Sequence, residues 1–229
     1  MKKFITFFSI LLFIQISFGQ EKAENRLIYS FLDKAIGNVN TKLSYGPVYK
    51  EKYIKKTKDN HNFFKTDLFK KGSVTYRNET FFNVFIKYDL VEDFIILKIE
   101  HQNQHVSIIP EKDFLSSFNI GTTSFVKLKN FGFVEKLEEQ KQYGIYRKHY
   151  KVSKENNDGN YIHHTFQKKQ DRYILHTKNN YYTVKSKRDF KKIYPEKKKI
   201  ISKFFNQNKS LFKNDFSQFI SKLMKTIQA

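Results

Sequence analysis

A long central stretch, residues 72–185, alternates apolar with polar residues, and this two-residue period constrains the fold more than any other feature. Phe82, Val84 and Ile86, for example, would share one face of a strand, because successive side chains in a strand point to opposite faces. Residues 156–159 and the pair Asn179-Asn180 carry the Asn, Asp and Gly residues that favour hairpin turns. We therefore predict antiparallel strands over 72–185, roughly ten of them, interrupted by a short helix or turn over 111–118.

Helical spacing flanks this stretch on both sides. Upstream, apolar residues recur at the period of one helix face, and they are Leu27, Ile28, Phe31, Leu32, Ala35 and Ile36. These residues predict a helix over 22–37, followed by an extended segment over 38–70. Downstream, helices are predicted across 188–227, where Pro195 would open one helix and Ser210 would cap the last.

No domain linker or internal repeat follows residue 19, so we predict a single α+β domain over residues 20–229. Its architecture would be a large curved antiparallel sheet, a meander of roughly ten strands. One N-terminal helix and two C-terminal helices would cover the open face of this sheet, because an apolar sheet face must be buried against another element.

The first 19 residues have the pattern of a cleaved signal peptide. Lys2 and Lys3 precede an apolar run over residues 4–16, and the small residues Ser17 and Gly19 favour cleavage before Gln20. A membrane anchor is the alternative, but the run is shorter than the ~20 apolar residues that a spanning helix needs. No later stretch is apolar enough to span a bilayer. We therefore expect an exported protein, in the periplasm or at the periphery of the outer membrane.

The sequence contains no cysteine. This excludes disulfides, thiolate metal ligands and a cysteine nucleophile. It also excludes the lipid-modified N-terminal cysteine of a lipoprotein.

Positive charge dominates the composition, with a formal net charge of +21 that falls to +19 when the two signal-peptide lysines are removed. Such a field favours anionic partners, and we expect either an outer-membrane protein or an anionic envelope lipid. A nucleic-acid partner is disfavoured, because lysines outnumber arginines 38 to 5 and the bidentate arginine is the main reader of bases and phosphates. A basic surface that is simply solvated is the alternative interpretation.

The densest basic stretch is the candidate interaction surface. It consists of Lys185, Lys187, Arg188, Lys191, Lys192, Lys197, Lys198 and Lys199.

Tyrosines form a second candidate set, an aromatic groove for a ligand or partner segment. Its members are Tyr143, Tyr146, Tyr150, Tyr161 and Tyr182. The alternative is that these rings simply occupy strand positions, where aromatic residues pack well.

No catalytic or metal-binding pattern is evident in the sequence. His101 and His105 have the i, i+4 spacing of a zinc helix but lie in a strand region, and the adjacent His163 and His164 should point to opposite faces. Asp89 and Asp93 are interpreted as caps of a hairpin turn. Glycine-rich phosphate loops and a nucleophile elbow are absent. We therefore predict no catalytic residue, no metal ligand and no cofactor, and an enzyme is not favoured.

Several short motifs resemble a family of exported, uncharacterised proteins of Bacteroidota-type bacteria. The motifs are Leu43-Ser44-Tyr45-Gly46, His61-Asn62-Phe63-Phe64, Gly72-Ser73-Val74-Thr75-Tyr76, Phe82-Asn83-Val84, Tyr88-Asp89 with Asp93, Gly132-Phe133 and Tyr182-Thr183-Val184-Lys185. Genes of that family often lie near those for TonB-dependent receptors and anti-sigma regulators, so the resemblance implies an envelope accessory role. Val134 stands where the family pattern has Tyr.

The leading hypothesis is a non-enzymatic exported accessory protein that binds an outer-membrane protein. A periplasmic carrier that holds an apolar ligand such as a lipid in a curved-sheet groove is the alternative. A hydrolase that uses Asp89 or a histidine is a second alternative.

Overall fold

A computed structural model describes residues 43, 46–101, 104–159 and 161–228 of the chain. The predicted signal peptide over 1–19 and the predicted helix over 22–37 lie outside the described residues.

The described chain contains twelve β-strands. They are β1 Lys70–Tyr76, β2 Glu79–Asp89, β3 Phe94–His101, β4 Gln104–Ile108, β5 Leu115–Ile120, β6 Thr123–Leu128, β7 Gly132–Glu139, β8 Tyr143–Lys148, β9 Lys151–Asn157, β10 Ile162–Lys168, β11 Arg172–Thr177 and β12 Asn180–Val184.

Ten of these strands form one antiparallel sheet in the order β12-β11-β8-β7-β6-β5-β1-β2-β3-β4. The other two, β9 and β10, form a separate hairpin. This confirms the predicted α+β class with one large antiparallel sheet.

The strand order departs from a simple meander at two places: β5 pairs with β1 rather than with β4, and the β9–β10 hairpin leaves the sheet between β8 and β11. The first departure involves Leu115–Ile120, whose first four residues fall within the short helix or turn predicted over 111–118. Only Lys112–Phe114 is helical there, as one 3₁₀ turn. Leu115–Ile120 instead fills the free edge of β1, so a long-range pairing overrides the local pattern.

Four α-helices follow the sheet, where the sequence predicts two. They are α1 Lys187–Ile193, α2 Lys198–Gln207, α3 Lys209–Asn214 and α4 Phe216–Gln228. Pro195 begins a 3₁₀ turn before α2, as proline suits the first position of a helical turn. Ser210 lies inside α3, and the cap of α4 is Asp215, whose carboxylate accepts a hydrogen bond from the Gln218 N–H at 2.9 Å. None of the described helices has the length and apolar character that crossing a membrane requires.

The extended segment before β1 attaches to the sheet through isolated bridges. Val48 bridges to Ile108 of β4, Phe63 to Asp89 of β2, and Lys55 to His164 of the β9–β10 hairpin. The segment therefore ties the hairpin to the body of the protein.

Two large apolar clusters stabilise the sheet. One surrounds Tyr88, whose ring lies 5.2 Å from those of Phe118 and Phe125. The other lies where the helices pack on β8, β11 and β12, with Phe205 and Phe219 in contact at 4.6 Å. Burial of each such ring contributes roughly 1.5–3 kcal/mol to stability.

Candidate functional site

A charged network adjoins the helix-covered part of the sheet; in it His149 is buried, and Glu135, Arg147 and Asp171 are half-buried. The His149 imidazole is 6% exposed and lies between two carboxylates, with Nε2 2.5 Å from Glu135 and Nδ1 3.0 Å from Asp171. Arg147 donates to Glu135 at 2.8 Å and faces Ser217 of α4 at 3.5 Å. Each charge in the network therefore has an opposite partner.

The network shifts the pKa values of its members in opposite directions. Burial lowers the pKa of His149, but the hydrogen bonds to Asp171 and Glu135 raise it by more, so the net pKa lies above its ordinary value. Burial raises the pKa of Glu135 and Asp171, but their hydrogen bonds to His149, and Arg147 in the case of Glu135, lower it by more. The imidazolium and both carboxylates are thus mutually stabilised in their charged forms.

This network is not arranged as a metal centre. The two carboxylates contact different nitrogens of the His149 ring and so lie on different sides of it. In the part of the chain that the structure describes, no group of three or more His, Asp and Glu side chains is placed to hold a metal ion.

A groove of about 900 Å³ opens next to Asp171, between the ends of β8, β11 and β12 and the junction of α3 with α4. Its lining residues are Tyr150, Gln170, Asp171, Arg172, Tyr173, Thr183, Val184, Lys185, Asp189, Phe212, Lys213, Asn214 and Phe216. We call this feature the cationic groove, for its three exposed cations.

Arg172, Lys185 and Lys213 bring these three positive charges to the groove. Arg172 begins β11, Lys185 directly follows β12, and Lys213 lies in the last turn of α3. All three are exposed. Within the described residues, none of the three has an ion pair to a carboxylate side chain. Their charges are therefore free to meet an anionic partner.

The two acids of the cationic groove are already committed to internal partners. Asp171 pairs with His149, as described above. Asp189 accepts hydrogen bonds from the backbone N–H groups of Lys185 and Ser186 at 3.0 and 2.9 Å, which places it in the capping box of α1. Burial raises the pKa of Asp189, but these hydrogen bonds lower it by more. The groove consequently presents an excess of positive charge to solvent.

Aromatic rings form the apolar part of the cationic groove. The Tyr173 and Phe216 rings meet edge to face at 4.9 Å, and Phe212 lies 5.3 Å from Phe216. The Arg172 guanidinium lies 5.8 Å from the centre of the Tyr150 ring. Anion-attracting charge and apolar ring surface thus occur together, a combination that suits an acidic segment with hydrophobic side chains.

The predicted basic stretch is divided between this groove and the helices. Lys185 lines the groove. The remaining cations lie outside it. Lys187, Arg188, Lys191 and Lys192 lie on α1, where the Lys187 ammonium is 5.9 Å from the centre of the Phe205 ring. Lys197, Lys198 and Lys199 lie at the 3₁₀ turn and the start of α2.

The five predicted groove tyrosines are not brought together. Tyr143 and Tyr182 belong to the apolar cluster beneath the helices, whereas Tyr146 packs in a third cluster on the opposite face. Tyr161 is 49% exposed near the β9–β10 hairpin. Of the five, only Tyr150 lines the cationic groove. Tyr143 and Tyr146 lie three residues apart on β8 and therefore point to opposite faces of the sheet.

Asp89 and Asp93 have different roles. The Asp89 carboxylate accepts hydrogen bonds from the backbone N–H groups of Val91 and Glu92 at 2.8 and 3.1 Å, which confirms its predicted role as a turn cap. The Asp93 carboxylate instead accepts hydrogen bonds from the Tyr88 hydroxyl and from the ammonium groups of Lys112 and Lys148. Neither pattern leaves a carboxylate positioned as half of a catalytic pair.

The sequence pattern does not predict Arg172, Lys213 or the charged network as parts of a site. Arg172 and Lys213 are single cations in unremarkable surroundings. Arg172 reaches the groove through the long-range pairing of β8 with β11, and Lys213 reaches it from the end of α3. One signal was present: His149 follows two cations at the end of an apolar strand.

Compared with known proteins, the chain matches no family model, no curated protein sequence and no solved structure.

Proposed function

We propose that this chain is an exported, non-enzymatic accessory protein that binds an acidic segment of another envelope protein, with the cationic groove as the contact. The observation that carries the proposal is the set of three exposed cations, Arg172, Lys185 and Lys213, without internal ion pairs beside aromatic rings. Charge complementarity of this kind accelerates encounter and selects the partner.

Two features of the sequence support the cellular setting of this proposal. Residues 1–19 have the pattern of a secretory signal peptide. The motif resemblance points to proteins encoded near outer-membrane receptors. An outer-membrane protein is therefore the proposed source of the acidic segment.

The carrier alternative requires an apolar cavity between the sheet and its covering helices. Beneath the described helices that space is occupied by Phe190, Phe205 and Phe219, all buried. The cationic groove mixes charged and aromatic residues, which suits an acidic protein segment better than a lipid chain.

Affinity purification of the tagged protein from mildly solubilised envelopes tests the proposal, with proteins and lipids in the eluate identified together by mass spectrometry. The test variant carries Arg172→Glu, Lys185→Glu and Lys213→Glu. The control carries Lys197→Glu, Lys198→Glu and Lys199→Glu, which changes the net charge by the same amount on exposed or half-buried positions outside the groove.

We expect wild type and control to retain a stoichiometric envelope protein, and the groove variant to retain at least about tenfold less. Equal retention by all three chains would exclude the groove as the contact. Recovery of lipid without a protein would favour the carrier, and loss in the control alone would move the contact to α2.

A further inference from the structure

A second, smaller pocket lies at one end of the sheet, where the β2–β3 and β6–β7 turns meet the end of β8. Its volume is about 460 Å³, within the range of small-ligand sites. Two acids, Asp93 and Asp113, line it together with the five lysines Lys112, Lys127, Lys129, Lys148 and Lys151. We call it the lysine pocket; it shares only Tyr150 with the cationic groove.

Two acids face five lysines in this pocket. Asp93 is shared by Lys112 at 2.8 Å and Lys148 at 2.5 Å, and it also accepts from the Tyr88 hydroxyl at 2.7 Å. Asp113, whose side chain is 96% exposed, pairs with Lys127 at 3.2 Å and with no other cation of the described residues. The exposed pair is screened by water, so the pocket keeps an excess of positive charge.

Four of the lysines keep N–H donors that nothing in the described chain uses. Lys148 is saturated, since its three acceptors are Tyr88, Asp93 and the Phe133 carbonyl. Lys112 and Lys151 each donate to one acceptor, and Lys127 donates to two. Lys129 has no acceptor among the described residues.

The pocket is held in shape from within. Gly132 has φ +68°, and a Cβ added there would lie 1.9 Å from a carboxylate oxygen of Asp93. Only glycine therefore lets the β6–β7 turn approach the Asp93 carboxylate this closely. Asp93 in turn fixes Lys112 and Lys148 side by side, in spite of their like charges.

We propose that the lysine pocket binds a phosphate group, supplied either by a lipid headgroup or by free phosphate. The lysines with free donors come from separate strands and turns and line one pocket, and a phosphate offers several acceptor oxygens and up to two negative charges to such a set. Lysine ammonium groups bind phosphate as point charges without the planar geometry that arginine imposes. Burial also lowers the pKa of Lys148 and Lys151, a penalty that a bound anion would offset.

Two probes distinguish the sources of the phosphate. Inorganic phosphate is titrated into the full chain by calorimetry, and the chain is co-sedimented with phosphatidylcholine vesicles with and without phosphatidic acid. The test variant carries Lys129→Gln and Lys151→Gln. The control carries Lys191→Gln and Lys192→Gln, which removes the same charge from α1, and the unfolding midpoint of each variant shows that it folds.

We expect the pocket variant to bind at least one probe about tenfold more weakly than wild type, while the control binds as wild type does. Binding of inorganic phosphate alone identifies a free-phosphate site; binding of phosphatidic-acid vesicles alone identifies a headgroup site. Equal weakening in both variants would show attraction by net charge, and binding of neither probe would show no phosphate site. Either result overturns the proposal without bearing on the cationic groove.

Discussion

Two neighbouring regions use charge in opposite ways, and Asp171 belongs to both. In the charged network, which is largely withdrawn from solvent, Arg147 and His149 are each paired with Glu135, and His149 also with Asp171. In the adjacent cationic groove, Arg172, Lys185 and Lys213 are exposed, and within the described chain none has an ion pair. A charge taken out of water must find a partner, whereas an exposed charge is stable without one. Paired cations therefore hold the fold together, and the unpaired ones remain available for binding.

The largest effect should follow from removal of the acid at the centre of the network. Glu135→Ala leaves Arg147 and His149 without their shared acceptor, and we expect the free energy of unfolding to fall by about 3 kcal/mol or more. Urea denaturation measures this free energy. The control is Glu196→Ala, which removes an exposed acid 3.8 Å from Lys178 and should change the free energy of unfolding by less than about 0.5 kcal/mol. Equal effects of the two substitutions would contradict the distinction between paired and exposed charges.

A second effect should appear at the turn that supports Asp93. Gly132→Ala introduces a side chain at φ +68° and against the Asp93 carboxylate, and we expect a loss of about 2 kcal/mol. Gly121→Ala is the matched control, because Gly121 has φ +58° with open space around it. Its loss should be smaller, about 1 kcal/mol from the backbone alone. Thermal unfolding of both variants checks the difference, and a larger loss at Gly121 would contradict it.

The stability that the charged network contributes should depend on pH. Because the pKa of His149 is raised by folding, its charged form contributes fully below about pH 6.5, and this contribution is lost as the pH rises through the folded-state pKa. The stability advantage of wild type over His149→Gln should therefore decrease from mildly acidic to alkaline pH. Denaturation curves at several pH values measure it. An advantage that grew with pH would show that the imidazole is neutral in the folded protein.

The smallest effect on stability should come from the groove itself. Replacement of Arg172, Lys185 and Lys213 by glutamine removes no internal ion pair, so the free energy of unfolding should change by less than about 0.5 kcal/mol. A loss well above 1 kcal/mol, measured in the same denaturation assay, would mean that these cations serve the fold.

The sequence predicts the class of the fold because its signals are local. Alternation along β2 and the turn residues between strands report each strand without knowledge of its neighbours. Local signals do not predict the place of β5 beside β1, because that place depends on which free strand edge β5 can reach. Leu115–Ile120 also shows little alternation of apolar and polar residues.

The candidate site was predicted only in fragments. Lys185 and Tyr150 were each assigned to a different surface, one by charge density and one by residue type, and the structure places both in one groove. Arg172 and Lys213 join them through the pairing of β11 and the turn between α3 and α4. Contacts between residues so far apart in the sequence depend on tertiary packing, and the spacing of residues along the chain does not predict that packing.

Site-specific photo-crosslinking in cells tests whether the cationic groove contacts an envelope protein. A photoreactive residue at Gln170, which is exposed and lines the groove, is compared with one at Lys198, exposed at the start of α2. We expect position 170 to crosslink to an acidic segment of an envelope protein and position 198 not to do so. Crosslinking from position 198 alone, or from neither position, would exclude the cationic groove as the contact.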